Sequence, residues 1–131
     1  MITNSVRLRL LVDDYDRAIN FYVNQLSLFA VESDRNSGQE RSVSLCLVNK
    51  CPNFVLDLSD VSSDTSLCDL VGRQCGDSIL MTIPINSVEQ MESTLRSAGL
   101  NLDGRNELPY GEWLFIRDPF GNRIALCEEF D

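Results

Sequence analysis

Val6-Arg7-Leu8-Arg9-Leu10-Leu11-Val12 alternates in character, and a matching stretch returns 73 residues on as Ile79-Leu80-Met81-Thr82-Ile83-Pro84-Ile85. Successive side chains of a strand point to opposite faces. Val6, Leu8, Leu10 and Val12 therefore share one side, and Arg7, Arg9 and Leu11 the other. In the second stretch Ile79, Met81 and Ile83 oppose Leu80 and Thr82. The segment after each strand also recurs. Asp14 is placed to cap a helix on which Tyr15, Ala18, Ile19, Tyr22 and Leu26 form an apolar stripe. After the second strand, Ser87 and Gln90 have capping-box spacing. Val88, Met91, Leu95 and Ala98 then make the stripe, and Gly99 suits a left-handed stop. Three strands are expected behind each helix, over 28–32, 42–48 and 53–58, then over 102–106, 112–117 and 122–127. The polar stretch 33–39, with Asn36-Ser37-Gly38, reads as a turn, and Asn49-Lys50-Cys51-Pro52 as another. One unit, strand-helix-three strands, is used twice.

The fold class is therefore α+β, with two βαβββ modules forming a cupped mixed sheet that carries its helices on the convex side. The boundaries are module 1 over 1–58, a linker over 59–77 and module 2 over 78–131, together one domain of a size a single core can hold. The linker is rich in Ser, Asp and Gly, with a short helix expected around Leu67, Leu70 and Val71. Its length suits pairing of the modules within one chain or their exchange between two.

A net charge of −9 argues against nucleic acid, which needs a basic face to displace counterions. At long range it favours a cationic ligand. The polar start does not read as a signal peptide, and no apolar run approaches the ~18 residues of a membrane helix. Cysteine is present at 46, 51, 68, 75 and 127, an odd count without a C-x-x-C pair or any histidine. That pattern predicts reduced thiols in a cytoplasmic protein, all five structural or incidental.

Three stretches resemble the vicinal oxygen chelate superfamily, which includes glyoxalases, bleomycin-resistance proteins and extradiol dioxygenases. They are Val12-Asp13-Asp14-Tyr15-Asp16-Arg17-Ala18-Ile19-Asn20-Phe21-Tyr22 at the first strand-to-helix passage, Leu95-Arg96-Ser97-Ala98-Gly99-Leu100 at the end of the second helix, and Asp118-Pro119-Phe120-Gly121-Asn122-Arg123-Ile124 at the last hairpin. The last has a sufficient structural reading as a turn, and Phe21 and Tyr22 read as helix packing. The resemblance implies that a metal-dependent member would hold its ion from the first and last strands of each module. Those positions here are Arg7, Asp57, Leu80 and Ala125. Arginine has no lone pair to give, and leucine and alanine have no ligand atom. The expectation is no metal and no cofactor.

Strand alternation assigns the concave face Arg7, Arg9 and Leu11, then Ser44 and Cys46, Val55 and Asp57, Leu80 and Thr82, Trp113 and Phe115, and Arg123, Ala125 and Cys127. Polar anchors among apolar walls suit a small-molecule pocket. The ligand-binding candidates are Arg7, Arg9, Cys46, Asp57, Thr82, Tyr110, Trp113, Phe115 and Ala125, with no catalytic residue assigned. Arg7 reads either as an ion pair with Asp57, a guanidinium standing where a cation would, or as a clamp for a ligand's anionic group. The ion pair is the reading preferred. Trp113, the only tryptophan, reads equally as a stacking platform or as core.

Three functions are compatible. The first is a metal-independent, bleomycin-resistance-like binder of a small organic molecule, cationic or aromatic, with a pocket completed in a homodimer. The second is a metal-independent isomerase or lyase of the glyoxalase fold, using Asp57 as base at a raised pKa, with Arg7 or Arg9 stabilising an anion. The third is a protein-interaction module whose pocket is filled by its own side chains. The first explains the missing metal ligands and the aromatic segment together.

Overall fold

In the first strand, β1 (Val6–Val12), the alternation of the sequence holds at Leu10 and Val12, fully buried, and at Arg7 and Arg9, exposed, whereas Val6 at the strand's start is 64% exposed and Leu11 is buried. The computed structural model describes residues 5–38, 40–51, 53–100 and 102–130. The chain divides into two compact units, Met1–Val71 and Gly72–Asp131.

In unit 1, Asp14 caps the helix α1 (Tyr15–Ile19), its Oδ1 accepting the N–H groups of Asp16 and Arg17 at 2.9 and 3.2 Å. The helix continues as one widened π turn over Asn20–Gln25. A π turn advances each side chain less than an α turn does, so the apolar stripe slips round the axis. The buried set is Ala18, Phe21, Tyr22 and Leu26, while Tyr15 and Ile19 of the expected stripe stay half-exposed. Tyr22 lies edge-on to both Phe21 and Phe29, at 4.9 and 5.4 Å between ring centres. Helix packing is thus the role of Phe21 and Tyr22. Strands β2 (Phe29–Ser37), β3 (Glu40–Leu47) and β4 (Phe54–Asp60) follow. The sheet order is β1-β4-β3-β2, with β1 parallel to β4 and the rest antiparallel.

Residues 33–37, expected as a turn, form the second half of β2 instead. Pairing with β3 satisfies their backbone, and an edge strand tolerates polar side chains on both faces. The turn itself sits at Gly38, with φ of 71°. Gln39, the last residue of the expected turn, lies outside the described residues, as does Pro52.

Cys46 and Cys51 are disulfide-bonded, their Cα atoms 5.5 Å apart. This overturns the expectation of five reduced thiols and removes that support for a cytoplasmic setting. A 3-10 turn over Val48–Lys50 lets the chain fold back so that two cysteines five residues apart meet. Cys68, Cys75 and Cys127 remain free thiols.

Unit 2 repeats the order as β5 (Ile79–Pro84), α2 (Val88–Ser97), β6 (Leu102–Leu108), β7 (Gly111–Arg117) and β8 (Arg123–Glu129), with sheet order β5-β8-β7-β6. Ser87 caps α2 by accepting the Gln90 N–H at 3.1 Å, and Glu128 accepts that of Val88 at 2.9 Å. Val88 and Leu95 are fully buried, Met91 is half-buried, and Ala98, beyond the last full turn, is exposed. Gly99 takes φ of 80°, the left-handed stop that its position called for. Before β5, the linker forms a 3-10 turn at Cys68–Leu70 where a short helix was expected. Gly72, at φ of 77°, lies against the β7–β8 hairpin so closely that an added Cβ would sit 1.8 Å from the Phe120 carbonyl oxygen. That hairpin is held by Asp118. Its Oδ1 accepts the N–H groups of Phe120, Gly121 and Asn122, and its Oδ2 the Asn122 amide at 2.8 Å. The Asp118–Asn122 motif is thus structural in this chain.

Candidate functional site

Each sheet turns one face to its own helix and leaves the other, here termed the open face, to most of the residues that alternation predicted. Leu80 departs from it, sitting at a register shift of β5 that pairs Ile79, not Leu80, with Arg123. In unit 1 the register places Ser44 beside Asp57 and Cys46 beside Val55, while Arg7 and Arg9 lie opposite Val55 and Asp57. Arg7 Nε donates to Asp57 Oδ2 at 2.8 Å, and its NH2 donates to Oδ1 at 2.8 Å, a two-pronged pair. Ser44 Oγ adds a donor to Oδ1 at 2.8 Å. The same Arg7 NH2 lies 3.6 Å from Glu32 Oε2. Arg9 Nε donates to Ser59 Oγ at 2.9 Å.

This network sets the chemistry of Asp57. The Arg7 hydrogen bonds hold its carboxyl below the usual carboxylate range and outweigh partial burial, which acts the other way, with Ser44 adding a smaller lowering effect. The raised pKa that the isomerase or lyase alternative calls on is therefore not what this network gives Asp57. A carboxylate so stabilised is a weak base, and nothing else in the network favours the isomerase or lyase reading. The ion pair reading of Arg7 holds.

The same geometry answers whether the residues fit the metal of the glyoxalases. Both Asp57 oxygens already accept donors, and a cation there would sit against a guanidinium. Leu80 and Ala125 carry no donor atom. Among the described residues, no three His, Cys, Asp or Glu side chains gather around a common point. The residues do not fit a divalent ion.

In unit 2, Thr82, Ala125 and Phe115 form one row across the sheet, and Pro84, Cys127, Trp113 and Asn106 the next. Trp113 and Phe115 are stacked at 6.5 Å between ring centres and 28° between planes, both half-exposed. The Arg123 guanidinium covers Phe115 at 4.3 Å from the ring centre. Asp103 Oδ2 accepts from Arg117 Nε and from Arg123 Nε, each at 3.0 Å. Thr82 is exposed. Tyr110 is 64% exposed at the β6–β7 turn, beyond the row of Trp113.

Two of the candidate residues offer little to a ligand. Ala125 has no exposed surface, and Cys46 is both buried and spent in the disulfide. Cys127 is buried too, and burial, then the charge of Glu129, pushes its thiol pKa up, the opposite of an activated nucleophile. Glu32, Asp103 and Arg117 were not among the expected site residues. Arg117 was legible from alternation, two places beyond Phe115. Glu32 and Asp103 sit at the register shifts of β2 and β6, where one extra residue turns a side chain out of its expected face. A cavity of about 140 Å³ between α2 and the sheet, lined by Glu92, Arg105 and Leu114, is smaller than an organic ligand requires. Arg105 there is tied to Glu92 and Glu112.

The fold has close structural counterparts. TnmS3, an antibiotic binding protein from Streptomyces sp. CB03234, superposes with a TM-score of 0.75 at 22% identity, covering 98% of this chain and 97% of that one. A member of the glyoxalase/bleomycin resistance protein/dioxygenase superfamily from Sphaerobacter thermophilus gives 0.72 at 19%, covering 98% of each. FosX, a fosfomycin resistance protein from Listeria monocytogenes, gives 0.70 at 13%, covering 98% and 94%. No family model matches the sequence, and no curated protein does. The likeness establishes the fold, in agreement with the resemblance carried by the sequence motifs.

Proposed function

We propose that this chain is a metal-independent binding protein for a small organic molecule with a planar aromatic part, of the bleomycin-resistance type. The observation that carries the reading is the half-exposed Trp113–Phe115 pair on the open face of unit 2. The half-exposed Trp113 ring, backed by Phe115 under its Arg123 cover, is a ready platform for a flat ligand, a stacked contact contributing about 1 kcal/mol beyond area burial. Thr82 and Asn106 supply hydrogen-bonding groups beside it. In unit 1, Arg7 and Arg9 form a polar wall, in which Arg7 is paired with Asp57 and Glu32 and Arg9 is hydrogen-bonded to Ser59. The antibiotic binding protein of the same fold supports the reading. A homodimer that covers the open faces belongs to the same proposal.

Calorimetric titration of chelator-treated protein with 2-naphthol tests it. Binding is expected, quenching Trp113 emission and unchanged by added zinc or magnesium. Binding that appears only after a divalent ion is restored would overturn the proposal.

A further inference from the structure

The open face of unit 2 is electrically lopsided. At one end two guanidiniums, Arg117 and Arg123, share a single carboxylate oxygen of Asp103, which leaves one positive charge in surplus. Both are fixed in place. Arg117 NH1 also donates to the Gly121 carbonyl at 3.0 Å, and Arg123 lies over Phe115. At the other end Glu129 faces Gly111 across the ladder, beyond Trp113, and is exposed. The rings lie between a positive and a negative end.

We infer that the ligand of this face is a planar aromatic anion, its ring on Trp113 and its carboxylate, sulfonate or ionised phenol at Arg117 and Arg123. The inference rests on the binding role proposed above for this face. It departs from what the overall charge of −9 suggests, and a magnitude decides between them. At physiological ionic strength the screening length is about 8 Å, so distant acidic side chains count for little against two arginines in contact with the bound group. Hydrogen bonds from a guanidinium to an anion are also among the stronger polar contacts.

Three probes of one size separate the possibilities: naphthalene-2-sulfonate, neutral 2-naphthol and 2-naphthylmethylammonium, measured by equilibrium dialysis. The sulfonate is expected to bind at least about 10-fold more tightly than the naphthol. Arg117→Gln should abolish that preference, bringing sulfonate binding down to the level of naphthol binding. Arg117→Lys should restore part of it. The melting temperature of each variant shows that the fold is intact. Equal binding of all three probes, or tightest binding of the ammonium, would overturn the anion class while leaving the binding role standing. If none of the three binds, both fall.

Discussion

Unit 1 and unit 2 share one strand order, yet their open faces hold opposite chemistry. Unit 1 sets charge against charge, Arg7 paired with Asp57 and Glu32, and a disulfide beside it. Unit 2 sets two aromatic rings beside a pair of arginines that share one acid. The helix-facing sides did not diverge in this way: Leu10, Leu45, Leu56 and Leu58 in one and Leu114, Ile116, Ile124 and Leu126 in the other are all buried aliphatics. Close packing against a helix tolerates few changes of volume or polarity, whereas the open face is free to change wherever its polar groups find partners. A duplicated backbone therefore specialises one face at a time.

The largest effect separates the two faces of β7. Leu114→Ala should cost about 3 kcal/mol of stability in denaturant unfolding, because the residue is fully buried. Phe115→Ala, one place along, should cost less than half as much yet weaken naphthalene-2-sulfonate binding roughly 10-fold. Equal losses of stability at the two positions would mean that the ring pair is core.

A middle effect belongs to unit 1. Its five-residue disulfide loop should contribute about 2 kcal/mol, lost on reduction and already absent in Cys46→Ser. Thiol titration in denaturant should rise from the three free cysteines to all five when a reductant is added. Five reactive thiols before reduction would contradict the bond. Under native conditions Cys127 should react last.

The smallest effect is a pH dependence. Asp57 has a folded pKa below its ordinary value of 3.8, so its contribution to stability is complete above that pH and is lost as pH falls through the depressed value. Asp57→Asn should lower the melting temperature modestly at pH 7, where the wild-type contribution is present, and change it little in acid below the depressed pKa, so that the decline below about pH 4 is flatter. An unchanged acid limb would mean that the pair is as loose in the folded protein as in the unfolded chain.

The sequence carried the order of elements and the faces, because alternation and capping are local. Arg7, Asp57, Trp113 and Phe115 were placed on their faces from the strand pattern alone. The bulges at Glu32 and Asp103, the π turn after Ile19 and the meeting of Cys46 with Cys51 were not legible. Each depends on how a strand or turn accommodates its neighbours, and no residue spacing encodes that by itself. The partner of Arg117 and Arg123, and with it the charge of the open face, stayed hidden for that reason.

Ligand binding at the ring-bearing face, without a metal, is the central claim. Amide and indole shifts of ¹⁵N-labelled, chelator-treated protein, followed while naphthalene-2-sulfonate is added, address it directly. The shifts should gather at Gly104, Asn106, Phe115 and Arg117 and at the Trp113 indole. Shifts confined to Arg7, Ser44 and Asp57, or arising only once zinc is supplied, would contradict it.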